Sequence, residues 1–246
     1  MNEQAAVFDS IVQRRRSMRI YDPNAPFDTE AVRRSIRRAM LAPNSSNMQM
    51  WEFYHVTDPQ QIADIARFCM NQNAARTARE LVIIAVPKAK YRQRAQANYA
   101  FHHARYGNVP IDSLDRRAKR KLQYFSRLMP MYYFQDWFGI SGYVRKLIVA
   151  VASLWRPVVW QVSKQDLRVV CHKSAALAAQ TFMLSMTAEG YDTCPMEGFD
   201  SMRLRRYLKL PRSTEFNMII SCGVGTKEGL YHEQFRVPEE EIYFQL

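Results

Sequence analysis

The 246-residue sequence contains no Cys-x-x-Cys pair. Its four cysteines, Cys69, Cys171, Cys194 and Cys222, are scattered, so neither a zinc site nor a disulfide framework is expected. A reducing, cytoplasmic compartment is the simplest setting for them. Histidine is nearly as sparse: the one adjacent pair, His102-His103, points two ways on a helix, and no metal site is expected. No apolar run reaches the roughly 20 residues that a bilayer-spanning helix needs. The nearest approach, around Leu147–Trp155, is interrupted by Arg145, Lys146, Arg156 and Pro157. Met1–Ser10 carries two acids and no apolar run, which is not the pattern of a signal peptide. Gly223-Val224-Gly225 through Gly229 follows a strand pattern, but its third glycine falls one residue late for a dinucleotide-binding turn and no matching helix follows.

Acidic residues are nearly missing from one long segment. Lys88–Arg168 holds sixteen Lys and Arg against four Asp and Glu, which accounts for the whole formal charge of +12, while the remainder is balanced. The basicity therefore belongs to one segment. Within it, helices are expected near Tyr91–His103 and Asp115–Leu128, then an aromatic stretch (Tyr132-Tyr133-Phe134, Trp137-Phe138) and Leu147–Trp155. Three readings stay open for this segment: a cap over an active site, a helical insertion facing a second subunit, or a basic, aromatic surface resting on anionic membrane.

The chain as a whole is 48% hydrophobic and long enough to bury a core, and outside the basic segment its patterning is that of a folded protein. Val7, Phe8, Ile11 and Val12 predict a first helix running up to an arginine cluster. Asp28 is placed to cap a second, with Val32, Ile36, Ala39 and Met40 inward and Arg33, Arg34, Arg37 and Arg38 on a solvated face. Trp51–Val56 predicts a strand. Pro59 to about Met70 predicts a helix with Ile62, Ile65, Ala66 and Cys69 inward, and Leu81–Val86 a buried central strand. Cys171–Glu189 reads as a long helix ended by Gly190, with Met183 and Met186 in the core and Ala175, Ala176, Ala178 and Ala179 permitting close approach. Tyr191–Thr193 and Phe216–Cys222 predict strands and Ser201–Leu208 a helix. The tail has no core of its own and is expected to wrap over another surface.

Two stretches carry chemistry. Arg15-Arg16-Ser17-Met18-Arg19 packs guanidinium forks and a hydroxyl into five residues, the donor set that phosphate oxygens need. Pro43-Asn44-Ser45-Ser46-Asn47-Met48-Gln49-Met50-Trp51 is a loop of amides and hydroxyls suited to a planar heteroaromatic. No nucleophile–base pair stands out.

The order Arg15-x-Ser17-x-Arg19, helix, Pro43-Asn44-x-x-Asn47-x-Gln49-Met50-Trp51 resembles the N-terminal signature of the nitroreductase family of FMN-dependent oxidoreductases. Asn44 stands where that family commonly has Ser, and Met50 where it has Pro. Pro195-Met196-Glu197-Gly198-Phe199-Asp200 resembles the family segment that runs along the flavin ring, with a backbone N–H near Glu197 and Gly198 directed at flavin N5. Gln234-Phe235-Arg236-Val237-Pro238 is similar to a C-terminal Lys-x-Arg-x-Pro segment that returns to the phosphate, Gln234 replacing the usual Lys. Asn73 and Arg76 match a further cofactor-contacting segment more loosely.

The resemblance implies an α+β, three-layer fold whose central, mostly antiparallel sheet is flanked by helices. It further implies a homodimer with exchanged tails and FMN at the subunit interface. The chain would be one domain, 1–246, with an insertion at about 88–166. The implied cofactor contacts are Arg15, Arg16, Ser17, Arg19, Asn44, Ser45, Asn47, Gln49, Asn73, Pro195, Met196, Glu197, Gly198, Gln234 and Arg236, with Asn44, Ser45 and Asn47 crossing between subunits. NADH or NADPH would deliver hydride to flavin N5, and nitroaromatic, quinone or related small acceptors would take it in a ping-pong cycle with no protein nucleophile. Nucleic acid is not expected as a partner; peripheral membrane contact through the insertion is open. The competing class is a basic nucleic-acid- or membrane-surface-binding module whose flavin site is vestigial or absent.

Overall fold

The computed structural model describes residues 2–134, 136 and 138–246. Its elements run α1 (Glu3–Arg14), α2 (Thr29–Ala39), β1 (Glu52–Val56), α3 (Pro59–Phe68), α4 (Asn73–Arg76), β2 (Glu80–Pro87), α5 (Tyr91–Arg105), α6 (Arg116–Gln123), a π-turn (Tyr124–Leu128), α7 (Met129–Tyr133), α8 (Ile140–Ser153), α9 (Lys164–Ala188), β3 (Asp192–Met196), α10 (Ser201–Tyr207) and β4 (Thr214–Gly223).

The strands pair antiparallel in the order β1-β2-β4-β3. Every residue of β2 is buried, as its continuous apolar run predicts, because helices cover both faces. Alternation divides the strand between two cores. Val82, Ile84 and Val86 join Val32 of α2 and Phe182 and Met186 of α9. Leu81, Ile83 and Ala85 join Ile62, Ile65 and Ala66 of α3 and Leu204 of α10. The result is the expected helix–sheet–helix layering.

Capping fixes where several helices begin. Asp28, Asp58 and Asp200 accept backbone N–H bonds at the starts of α2, α3 and α10. Ser163 and Asp166 form a reciprocal capping box, so α9 begins at Lys164, seven residues before the predicted start. Gly190, with φ +93°, follows its end. β3 is longer than predicted, continuing through Pro195 to Met196; as an edge strand whose ladder partner is β4, it tolerates a proline that has no N–H to donate.

The predicted solvated face of α2 is half right. Arg34 Nη2 lies 2.7 Å from Glu189 Oε2, and Arg38 pairs with the same carboxylate and donates to Ser185 Oγ at 2.9 Å. Met40, expected inward, is exposed. α1 forms where predicted but has no buried residue, and Val7, Phe8 and Val12 stand exposed.

Residues 17–22 cross the sheet edge, with bridges Ser17↔Thr193 and Tyr21↔Gly225. The glycines that mimicked a dinucleotide turn serve this crossing: a Cβ on Gly223 would strike the Tyr21 ring, and one on Gly225 would strike Met18. Tyr21 is fully buried, its hydroxyl donating to the Ser221 carbonyl at 3.1 Å and lying 2.8 Å from Ser221 Oγ. Tyr21→Phe is expected to lower unfolding free energy by about 1 kcal/mol in urea denaturation without altering the fold.

The basic segment divides in two. Ala95 of α5, Phe125 of the π-turn, and Met129 and Tyr133 of α7 enter the main core. By contrast, α8 buries only Gly142. Gly139 at φ +78° and the Asp136 carboxylate, which accepts the N–H groups of Ile140 and Ser141, start α8 seven residues before the predicted Leu147. Trp137 lies outside the described residues. No helix among the described residues is long and apolar enough to cross a membrane.

Candidate active site

The Arg15–Arg19 turn follows α1 and is held in place by backbone bonds. Met18 N donates to Thr193 O and Arg19 N to Gly229 O, both at 3.0 Å. This sets Arg15 and Arg19 against buried Cys194 in β3. Burial pushes the Cys194 thiol up, while Arg19 and Arg15 pull it down. Arg236, from the tail, arrives beside Arg15. Burial, then the nearby Arg236 and Arg16, hold the Arg15 guanidinium below the usual arginine range. Among the described residues, no Asp or Glu pairs with Arg15, Arg16, Arg19 or Arg236. Arg16 turns to the tail backbone, its Nη2 donating to His232 O at 2.7 Å. Ser17 is exposed at the mouth of the cluster.

Two further predicted pieces join this cluster. Arg19 stacks over the Tyr231 ring at 5.1 Å, and Asn73 Nδ2 donates to the Tyr231 hydroxyl at 3.1 Å. Arg76 in turn donates to Asn73 Oδ1 at 2.8 Å. Pro195 and Met196 end β3, and Glu197 and Gly198 form an exposed turn tied back by Gln72 Nε2 to Gly198 O at 3.2 Å. A Cβ on Gly198 would meet nothing within 4 Å, and its φ lies outside the left-handed region. Nothing inside this chain therefore requires glycine there, and the space in front of the turn is open. Gln72 and Tyr231 are members of the constellation that the sequence did not reveal; neither falls in a matched motif.

The Asn44–Gln49 loop lies elsewhere. Ser45 N reaches Ser174 Oγ in the middle of α9, whereas Arg14 Nη2 reaches Gly190 O just past its end. Fourteen residues of helical rise, from Ser174 to Ala188, separate these points by about 21 Å. The loop amides are occupied in holding its shape: Asn44 Oδ1 accepts from Gln49 N at 2.8 Å, Asn47 Nδ2 donates to Asn98 Oδ1 at 2.9 Å, and Ser46 Oγ lies 2.5 Å from the Tyr124 hydroxyl. Ser46, Asn47 and Gln49 take positive φ values of 53°, 53° and 47°, conformations that only such multiple ties sustain. Gln234 is exposed in the tail. Within one chain, then, Arg15, Arg16, Ser17, Arg19, Asn73, the 195–198 segment and Arg236 converge, and Asn44, Ser45, Asn47 and Gln49 stand apart.

A sequence model described as the nitroreductase family matches residues 12–224. The chain belongs to the nitroreductase family. The match runs through the basic segment. DrgA of Synechocystis sp. is 27% identical over 223 residues, covering 90% of this chain and 85% of that protein. YdgI of Bacillus subtilis, provisionally named an NAD(P)H nitroreductase, is 23% identical over 239 residues, covering 96% and 95%. A protein of Exiguobacterium sibiricum solved in complex with FMN superposes with a TM-score of 0.68 at 22% identity, covering 97% of each chain.

Beside the loop, this nitroreductase family chain has an open cavity of about 930 Å³. Asn44, Ser46 and Asn47 line it together with Arg105, Arg117, Arg120 and Lys121. None of those four cations has an acidic partner among the described residues. His102, stacked 5.3 Å from Phe125, is held below the usual histidine range by burial, then by Lys121 and Arg105. The run at 116–121 reads in the sequence only as bulk positive charge; the fold aims part of it into a cavity.

Proposed function

We propose that this chain is an FMN-dependent oxidoreductase that draws electrons from NAD(P)H and passes them to a nitroaromatic, quinone or related small acceptor. The observation that carries this reading is the gathering of Arg15, Arg19 and Arg236 without a carboxylate to neutralise them. Like charges held together at a partly buried site destabilise the fold unless an anion compensates, and a phosphate monoester is the anion their planar forks match. The residues fit FMN on a second count. The open face of Gly198 and the hydrogen-bonded pair Asn73–Tyr231 offer a flat approach and polar donors next to the phosphate donors. When bound, FMN supplies the hydride-accepting ring position and the two-electron chemistry. The protein then binds, orients and shields: Arg15, Ser17, Arg19 and Arg236 hold the phosphate, and the Glu197–Gly198 backbone borders the ring.

A second copy completes the site in this reading, bringing its Asn44–Gln49 loop to the Arg15 cluster. The exposed apolar residues of α1, Leu177 of α9, and Phe235 and Phe244 of the tail support such a contact. The loop's cationic cavity would then take the phosphates of the nicotinamide dinucleotide or an anionic acceptor. The test is direct. The purified protein is expected to be yellow, or to become so with added FMN, to bleach anaerobically with NADH or NADPH, and to run at twice the chain mass of 28.9 kDa. A colourless protein that cannot be reconstituted overturns the flavin assignment. A monomer that retains FMN overturns the shared site.

A further inference from the structure

We infer that α8 is a peripheral membrane anchor that lies flat on an anionic lipid surface. The inference does not depend on the flavin reading.

α8 is amphipathic in the inverted sense. Ile140, Val144, Leu147, Val151 and Leu154 recur at the spacing of one helical stripe, and all five are exposed. Phe138 and Trp155, at either end, are 80% and 76% exposed. The polar groups face the body instead. Arg145 donates to the carbonyls of Val162 at 2.9 Å, Phe134 at 3.0 Å and Met131 at 3.3 Å. Lys146 Nζ lies 3.4 Å from Asp166 Oδ2. Gly142 lets the helix backbone approach residues 163 and 164, where a Cβ would come within 3.1 Å of Lys164 N. The helix is thus fastened through its cations and its glycine, and its apolar stripe is left outward.

The charge of the segment that carries the stripe selects the occupant, with Arg156 exposed just past the end of the helix. No carboxylate occurs between residues 137 and 165, and the Lys88–Arg168 segment carries all of the chain's net +12. A symmetric self-contact through this face would place two such basic segments against each other with no acid in the stripe to pair them. An anionic bilayer neutralises the same charge and takes up the apolar stripe, and the Trp155 and Trp160 rings suit its interfacial zone. The fourteen residues of α8 extend about 21 Å, short of the roughly 30 Å hydrocarbon core, so the helix rests in the interface rather than crossing it.

Co-sedimentation of the full-length protein with phosphatidylcholine vesicles, with and without phosphatidylglycerol, tests the anchor. The wild type is expected to pellet with the phosphatidylglycerol vesicles at least tenfold more than with the neutral ones, and less as salt rises. Leu147→Glu combined with Val151→Glu should lower that binding at least tenfold while leaving the melting curve unchanged, since neither side chain enters the core. As a measurement that needs no variant, brominated lipid should quench tryptophan emission of the wild type. Wild-type protein that stays in the supernatant at low salt without quenching overturns the proposal. So does a double variant that only converts a larger oligomer into a smaller one while vesicles bind neither form.

Discussion

Arg236→Ala is expected to weaken FMN binding about ten- to a hundredfold while leaving the apoprotein as stable as before or slightly more so. The opposed signs follow from the site. A charge-assisted contact to phosphate is worth roughly 1.5–3 kcal/mol, so losing one costs about one to two decades in affinity. In the absence of the anion, Arg236 acts mainly as a like charge beside partly buried Arg15, and its removal relieves that neighbour. Arg19→Ala should weaken FMN to a similar degree without the relief of Arg15, because Arg19 stacks on Tyr231 and faces Cys194. Fluorescence titration of FMN against each apoprotein, paired with thermal melts, reads both quantities. Unchanged FMN affinity in both variants would show that the phosphate is held elsewhere.

Glu215→Gln should destabilise the protein by about 2–3 kcal/mol at neutral pH and by almost nothing in strong acid. The Glu215 carboxylate receives Lys88 Nζ at 2.5 Å and Arg168 Nε and His172 Nε2 at 2.8 Å each, joining the end of β2, strand β4 and α9. Burial alone would raise its pKa, but His172, Lys88 and Arg168 together outweigh burial and bring it from the ordinary 4.5 to about 2. A depressed folded-state pKa contributes stability that is fully present above about pH 4.5 and is lost as pH falls towards 2. Urea unfolding of both proteins across that range should show the gap closing; a gap independent of pH would mean the cost is one of packing, not charge. This interaction holds the side of the sheet on which the Asn44 loop is seated.

The sequence made legible whatever depends on neighbours close in the chain. The run at 81–86 declares a strand covered on both faces, and Asp28 declares a helix start, because side chains adjacent in the chain decide each. The two motifs directed at a phosphate, Arg15–Arg19 and Gln234–Pro238, are visible for the same reason. What was not legible depends on distant partners. The pairing of Arg34 and Arg38 with Glu189 spans about 150 residues and converts a seemingly solvated face into a clamp on α9. The strand predicted at Tyr191–Thr193 continues to Met196 because its place at the sheet edge admits Pro195, and that place is set by the distant strand β4. The early start of α9 hides in Lys164–Arg168, where polar side chains obscure the apolar stripe and only the capping box marks the boundary. That the Asn44 loop and the Arg15 cluster lie at different points along α9 is not conveyed by the spacing of the motifs; only the resemblance, by sending Asn44, Ser45 and Asn47 across between subunits, set them apart.

The division of the 88–166 segment has a consequence for how the chain can change. Its first half is interlocked with the loop through Asn98–Asn47 and Tyr124–Ser46, so a substitution on either side demands an answer on the other. Its second half buries little besides Gly142 and Val162 among the described residues, and α8 is fastened by a few bonds to carbonyls and one carboxylate. That half can change its outward stripe without disturbing the core, so the stripe's composition answers to whatever lies outside the molecule and not to the fold.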